Sequence, residues 1–182
     1  HKPGVSKRLP ITYRSIQART IFDDFTAANK TSLAVNIPLT FPPPEINGKV
    51  VAGGVLPASR SYTWPQDLQG ELDSQAPFPV NGMSWTTFRN RPGPFLDETA
   101  SITAQRQRSF EYLLDTTEWD FGVLVYVSTD RMQHCLMEYI HPEHPSYSEL
   151  KDTPIAQQTR AVYQQLDAGL AKLLERTTED DL

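Results

Sequence analysis

The stretch F-G-V-L-V-Y-V-S-T at residues 121–129, followed by D-R-M-Q-H-C-L-M-E-Y-I at residues 130–140, decides the fold class of this chain. The first part is apolar at nearly every position, which is typical of a strand buried on both faces in a parallel sheet. The second part has the apolar spacing of a short helix. A strand that leads directly into a helix is the repeating unit of an α/β protein.

The same alternation of strand and helix extends to both sides of this stretch. Two further strands are predicted at residues 32–38 and 49–56. Apolar side chains recur at helical spacing over residues 15–29, 97–116 and 154–176. We therefore predict an α/β fold, in which a mostly parallel sheet has helices on both faces.

The predicted helix ends rest on capping residues. Ser15 and Asp97 are predicted N-caps of the first and second long helices, and Asn29 is predicted to end the first one. Residues 57–96 interrupt this pattern, because they hold many prolines and no long periodic segment. We predict an irregular insertion at about 57–96 within a single domain spanning residues 1–182, since long loops in compact domains are usually functional or inserted.

Composition excludes several classes of function. The chain has 182 residues, a net charge of -5 and one cysteine. The acidic balance argues against a nucleic acid polymer as partner, and the single cysteine excludes a disulfide framework. No apolar run approaches the roughly 18 residues of a membrane span. No signal peptide is visible in the residues given, which favours a cytoplasmic location over a secreted one.

The candidate site lies at the end of the strand at 121–129, where Asp130 precedes His134 by four residues. Residues at this spacing share a helix face, so the carboxylate and the imidazole can converge on one point. Together they form half of a ligand set for zinc, manganese or iron. The structural alternative is that Asp130 caps the helix and His134 is a hydrogen-bonded, partly buried histidine. Arg131 either meets a phosphate or forms a salt bridge.

Other reactive or aromatic residues have simpler interpretations. Cys135 is predicted to be buried as a small apolar residue rather than to act as a nucleophile. Asn36 is expected to form a turn or end a strand, although it could also face a substrate. Loop positions are predicted for His141 and His144. The aromatic side chains of the middle segment either line a cleft or pack the insertion; they are Tyr62, Trp64 and Trp85.

The segment V-Y-V-S-T-D-R-M-Q-H at 125–134, followed by E-Y-I-H-P-E-H-P at 138–145, resembles a known pattern. It is similar to the T-D-R-x-Q-H … D-P-x-H-P segment of the alkaline-phosphatase superfamily, in the branch of type I phosphodiesterase/nucleotide pyrophosphatase-like proteins. His141 departs from that pattern, which usually has Asp there. Further similar segments follow the family's order; they are residues 20–30, 35–54, 119–127 and 162–170.

The resemblance implies a hydrolase of phosphodiesters or phosphomonoesters that uses two divalent metal ions, zinc above all and manganese as the alternative. It assigns Asp130 and His134 to one of these ions and implies a small phosphoester as substrate, such as a nucleotide or a phospholipid headgroup. The family's nucleophile and its second metal motif, S-D-H-G, have no counterpart here. The resemblance therefore implies an incomplete alkaline-phosphatase-like domain, inactive by itself and without a catalytic nucleophile. The alternative function is a non-catalytic α/β binding or interaction domain derived from that fold.

Overall fold

A four-stranded sheet forms the centre of the molecule. The computed structural model describes residues 11–54, 61–89 and 91–179. The strands are β1 (Ser32–Pro38), β2 (Gly48–Gly53), β3 (Thr63–Trp64) and β4 (Phe121–Leu124), arranged in the order β3-β2-β1-β4. β1 pairs in parallel with both β2 and β4, whereas β3 is antiparallel to β2. The predicted α/β fold with a mostly parallel sheet is confirmed.

The helices lie on both faces of this sheet, as predicted. They are α1 (Ile21–Ala27), α2 (Leu68–Gln75), α3 (Pro92–Thr116), α4 (Ser128–Ile140), α5 (Tyr147–Leu150) and α6 (Pro154–Leu174), preceded by a 3-10 turn at Tyr13–Ser15. On one face, Phe22 of α1 packs in a cluster with Ala34 and Val50. On the other face, Phe110 of α3 packs in a cluster with Val35. None of the helices in the described ranges is long and apolar enough to cross a membrane.

β1 has the predicted bounds and carries one irregularity. Its register against β2 shifts between Val35 and Ile37, which makes Asn36 a β-bulge. Asn36 has a φ of 61°, in the left-handed region that asparagine tolerates better than most residues. The predicted strand 49–56 corresponds to β2, and its last two positions lie outside the described residues.

The first helix begins later than predicted, at Ile21 rather than near Ser15. Thr20 is the N-cap and forms a capping box with Asp23, whose carboxylate Oδ2 accepts from the Thr20 backbone N–H at 2.6 Å. This reciprocal pair satisfies two N–H groups at the start of α1 and fixes where the helix begins. Asn29, the predicted end, has a φ of 57° just beyond the helix.

The prediction of a strand at residues 121–129, buried on both faces, is wrong in its length and in its burial. β4 covers only Phe121–Leu124, lies at one edge of the described sheet and is partly exposed. The apolar residues that follow serve tertiary packing: the ring of Tyr126 meets that of Phe110 edge-on, with 5.1 Å between centroids. An apolar run therefore does not by itself distinguish a buried strand from a packed connection.

The segment predicted to be an irregular insertion, about 57–96, contains regular structure. β3 and α2 lie within it, and α3 starts at Pro92 rather than at the predicted cap, Asp97. Pro92 takes the first helical position, where a missing N–H costs nothing. Asp97 lies inside α3 and accepts a hydrogen bond from Gln158 of α6 at 2.5 Å. Helix α2 was missed because it is short and only weakly amphipathic.

Candidate functional site

A cleft of about 800 Å³ lies beyond the carboxyl ends of β1, β2 and β4. Asn36 and Pro38 reach it from β1, Gly54 from the end of β2, and the 125–127 connection from β4. A segment at 80–86 forms another part of its wall. Ligands of open parallel sheets usually bind at this edge, so the candidate site lies where the strand pattern predicts it.

Asp130 and His134 meet on the first two turns of α4, where Asp130 lines the cleft and His134 lies outside its lining. They are the third and seventh residues of α4, and the His134 Nε2 lies 3.3 Å from the Asp130 Oδ1. The side chains are 76% exposed for His134 and 58% exposed for Asp130. Val127, not Asp130, is the N-cap residue of α4. The alternative in which Asp130 caps the helix and His134 is partly buried is therefore wrong.

The separation of these two groups fits two ligands of one metal ion. A carboxylate oxygen and an imidazole nitrogen, each about 2.0–2.1 Å from a tetrahedral zinc, stand roughly 3.3 Å apart. A solvent-exposed ion pair at this helical spacing gives the same distance without any metal. Within the described ranges no group of three or more His, Cys, Asp or Glu side chains could hold a metal ion. Asp130 and His134 thus supply two ligands and no more.

Arg106 of α3 is a wall residue of the cleft that the sequence analysis missed. It is only 6% exposed, and its Nε and Nη2 donate to the Pro79 carbonyl oxygen at 3.1 and 2.9 Å. Its guanidinium lies 5.3 Å from the centre of the Phe78 ring. Burial, together with the charge of Arg131, lowers the pKa of Arg106 to about 10. Its place in sequence was a signal, since Arg106 lies midway between the buried Ile102 and Phe110 at helical spacing.

Asn36 fixes one wall of the cleft from within the bulge of β1. Its side chain is almost fully buried, and the Nδ2 donates to the Val125 carbonyl oxygen at 2.6 Å. This bond ties β1 to the connection between β4 and α4. Tyr126, in the same connection, donates its hydroxyl to the side-chain oxygen of Gln107 on α3. The loop that carries Asp130 into place is therefore held from two sides.

His141, His144 and Cys135 have structural positions. His141 and His144 lie in the loop after α4, and each accepts a backbone N–H through its Nδ1 at 3.3 Å, from Glu143 and Ser146 respectively. Cys135 is partly buried against the helical cluster of α3, α4 and α6, and burial raises the pKa of its thiol. These positions agree with loop histidines and a packed cysteine.

The aromatic residues of the middle segment divide between the two roles left open by the sequence. Trp85 lines the cleft and packs edge-on against Phe95, with 5.2 Å between ring centroids. Trp64 donates its Nε1 to the Ile46 carbonyl oxygen at 2.9 Å, and Tyr62 lies in the core. Only Trp85 of the three contributes to the site.

No protein-family model, curated protein or solved structure matches this chain. Three features of the chain itself point to a function: the cleft, the contact between Asp130 and His134, and the ordered motifs of the sequence. Among these, the contact between Asp130 and His134 has the most direct chemical meaning.

Proposed function

We propose that this chain is part of a metal-dependent hydrolase of phosphodiesters or phosphomonoesters, in which Asp130 and His134 hold one of two divalent ions. The observation that carries the proposal is the 3.3 Å contact between these two side chains, of which Asp130 lines the cleft beyond the parallel strands. The resemblance of the surrounding motifs to type I phosphodiesterase/nucleotide pyrophosphatase-like proteins supports the same reaction. Zinc suits this mixed oxygen and nitrogen donor set, and manganese is the alternative.

A divalent ion held there would supply the positive charge that lowers the pKa of a hydroxyl nucleophile or stabilises a leaving oxygen at phosphorus. The residues of this chain have positioning tasks. Asp130 and His134 would hold the ion on α4, while Asn36 and Tyr126 keep the connection before α4 in place. Arg106 and Arg131 put positive charge on the cleft wall, which suits an anionic substrate.

Two protein ligands do not complete a catalytic zinc site, which needs three ligands and an open position. The proposal therefore requires further ligands and a nucleophile from outside the described residues. It follows that the isolated chain should bind zinc weakly and hydrolyse little or no phosphoester. The limited ligand set also favours the second candidate, a non-catalytic binding domain that uses the same cleft.

Zinc titration of the isolated 182-residue chain tests the metal assignment. We expect weak binding that His134→Ala and Asp130→Ala each reduce by at least about tenfold, since each removes one of two ligands. His141→Ala is the matched control, because His141 lies in the loop after α4 and its Nδ1 already accepts the Glu143 backbone N–H at 3.3 Å. Calorimetry and the ring signals of the histidines in NMR spectra measure the effect.

Equal zinc affinity in the wild type and in His134→Ala would overturn the metal assignment. The same proteins should be tested on bis(p-nitrophenyl) phosphate with zinc or manganese. Turnover by the isolated chain that His134→Ala abolishes would contradict its predicted inactivity. Loss of zinc binding in His141→Ala alone would move the ligand role to the loop after α4.

A further inference from the structure

We propose that Arg106 and Arg131 form a binding subsite for an oxyanion, such as a phosphate or carboxylate group, at the wall of the cleft. The subsite is distinct from the pair that would hold a metal, Asp130 and His134. Its assignment to a substrate rests on the proposed hydrolase function, but its ability to bind an anion does not. The two arginines come from different elements, α3 and α4, and both line the same cavity.

The burial of Arg106 without a neutralising acid is the first argument. The described residues contain no ion pair that involves Arg106. Two of its nitrogens share one carbonyl acceptor, the Pro79 oxygen, and a guanidinium has five N–H donors in total. Burying a charge without an opposite charge is costly, and an anionic ligand would remove that cost.

The composition of the cleft wall is the second argument. Asp130 is the one acid among the described residues that line the cavity, and its carboxylate already contacts His134. Arg131 is exposed, lines the cavity and forms no ion pair with any described carboxylate. Among the described lining residues, positive charge therefore exceeds negative charge, and this charge is available to a ligand.

The placement of Arg106 is the third argument. The bonds to Pro79 and the stacking on Phe78 hold its guanidinium fixed before any ligand arrives. A fixed planar fork loses little freedom on binding an oxyanion and matches two of its oxygens at once. Lysine at this position would keep the charge and lose the fork. We therefore expect Arg106→Lys to bind anions less well than the wild type and better than Arg106→Gln.

Phosphate titration of the isolated chain in the presence of EDTA tests the subsite without any metal. We expect binding that Arg106→Gln weakens by at least about tenfold and Arg131→Gln by a few-fold. Arg108→Gln is the matched control, because Arg108 is exposed on the same helix and lines a different cavity. A parallel titration with acetate distinguishes a site for phosphate from a site for carboxylate.

Arg106 is buried, so its variants are first checked for folding by circular dichroism and thermal unfolding. Arg131 is exposed, and its variant tests the subsite even if Arg106→Gln does not fold. The inference is wrong if the wild type binds neither phosphate nor acetate, or if Arg108→Gln weakens binding as much as Arg131→Gln. If the wild type binds phosphate in EDTA but His134→Ala binds zinc as tightly as the wild type, the anion subsite stands and the hydrolase proposal is wrong.

Discussion

The two ends of the parallel sheet differ in how their polar groups are used. At the amino end, Asp120 accepts hydrogen bonds from the Lys30 Nζ and the Thr31 backbone N–H, each at 2.8 Å. Asn47 donates its side-chain amide to the Lys30 carbonyl oxygen at 3.2 Å. At the carboxyl end, Arg106 is buried and forms no ion pair with any residue that the structure describes, and the side chains of Asp130 and His134 face solvent.

This difference shows where the fold has bonding capacity left for a ligand. The same strands run through both ends, so strand pairing does not explain it. At the amino end, the Lys30 and Thr31 donors are both hydrogen-bonded to the Asp120 carboxylate, so these groups already have partners within the chain. At the carboxyl end the chain leaves each strand toward a helix, and the connections spread apart to form the cleft.

The largest expected effect comes from two glycine substitutions, which compare how tightly the backbone is packed at the two ends of the sheet. A Cβ added at Gly48, at the amino end of β2, would overlap the backbone of Ser32, and Gly48 also has a φ of +134°. A Cβ added at Gly53, at the carboxyl end, would overlap the backbone of Asn36. We expect Gly48→Ala and Gly53→Ala each to lower the free energy of unfolding by about 3 kcal/mol. Urea denaturation measures the loss.

Gly70 is the control for these two variants. It lies inside α2, and apart from its chain neighbours and the backbone of its own helix, no described atom lies within 4 Å of the position a Cβ would take. Gly70→Ala should therefore raise the free energy of unfolding by about 0.5–1 kcal/mol. If Gly53→Ala were as stable as the wild type, the backbone at the carboxyl end would be less tightly packed than the backbone at the amino end. The two ends would then differ in backbone packing as well as in the pairing of their charged groups.

The next largest effect concerns the bulge at the carboxyl end. Asn36→Ala removes the bond to the Val125 carbonyl oxygen and places an alanine at a φ of 61°, so we expect a loss of about 2 kcal/mol. Asn36→Gly removes the same bond but tolerates the backbone angle, so its loss should be about 1 kcal/mol. Equal losses in thermal or urea unfolding would show that the backbone angle contributes nothing.

The smallest expected effect tests the hydrogen bonds that Asp120 accepts at the amino end of the sheet. Hydrogen bonds from the Lys30 side chain and the Thr31 N–H lower the pKa of Asp120. A carboxyl whose pKa is lowered by folding stabilises the folded state above its ordinary pKa, about 4. That contribution is lost as the pH falls through the lower folded-state value. Asp120→Asn and Lys30→Met should both show less acid-dependent loss of stability than the wild type, measured by urea unfolding at pH 2–5.

The pattern of apolar residues predicted much of the fold. It predicted β1 with its observed bounds, the start of β2 within one residue and the start of α6 at Pro154. It did not predict the start of α1, because the capping box of Thr20 and Asp23 competes with an apolar pattern that continues further back. It made β4 too long, because Tyr126 packs against α3 rather than within the sheet.

The site was predictable where its residues are close in sequence and hidden where they are not. Helical spacing alone brings Asp130 and His134 within 3.3 Å of each other. Arg106 is 24 residues away from Asp130 and reaches the cleft only because α3 packs against the start of α4. The buried hydroxyls of Thr103 and Ser128 meet there at 2.5 Å. No local pattern carries that information.

The bulge at Asn36 changes which side of the sheet the following residues of β1 face. Val35 packs on the α3 side of the sheet, whereas Ile37, two positions later, packs with Ala34 on the opposite side. In a regular strand these two residues would share a side. Asn36 is therefore the extra residue of the bulge, and its deletion would leave Val35 and Ile37 facing the sides of the sheet that they face now. Deletion of any other interior residue of β1 would turn the residues after the deletion to the opposite side of the sheet.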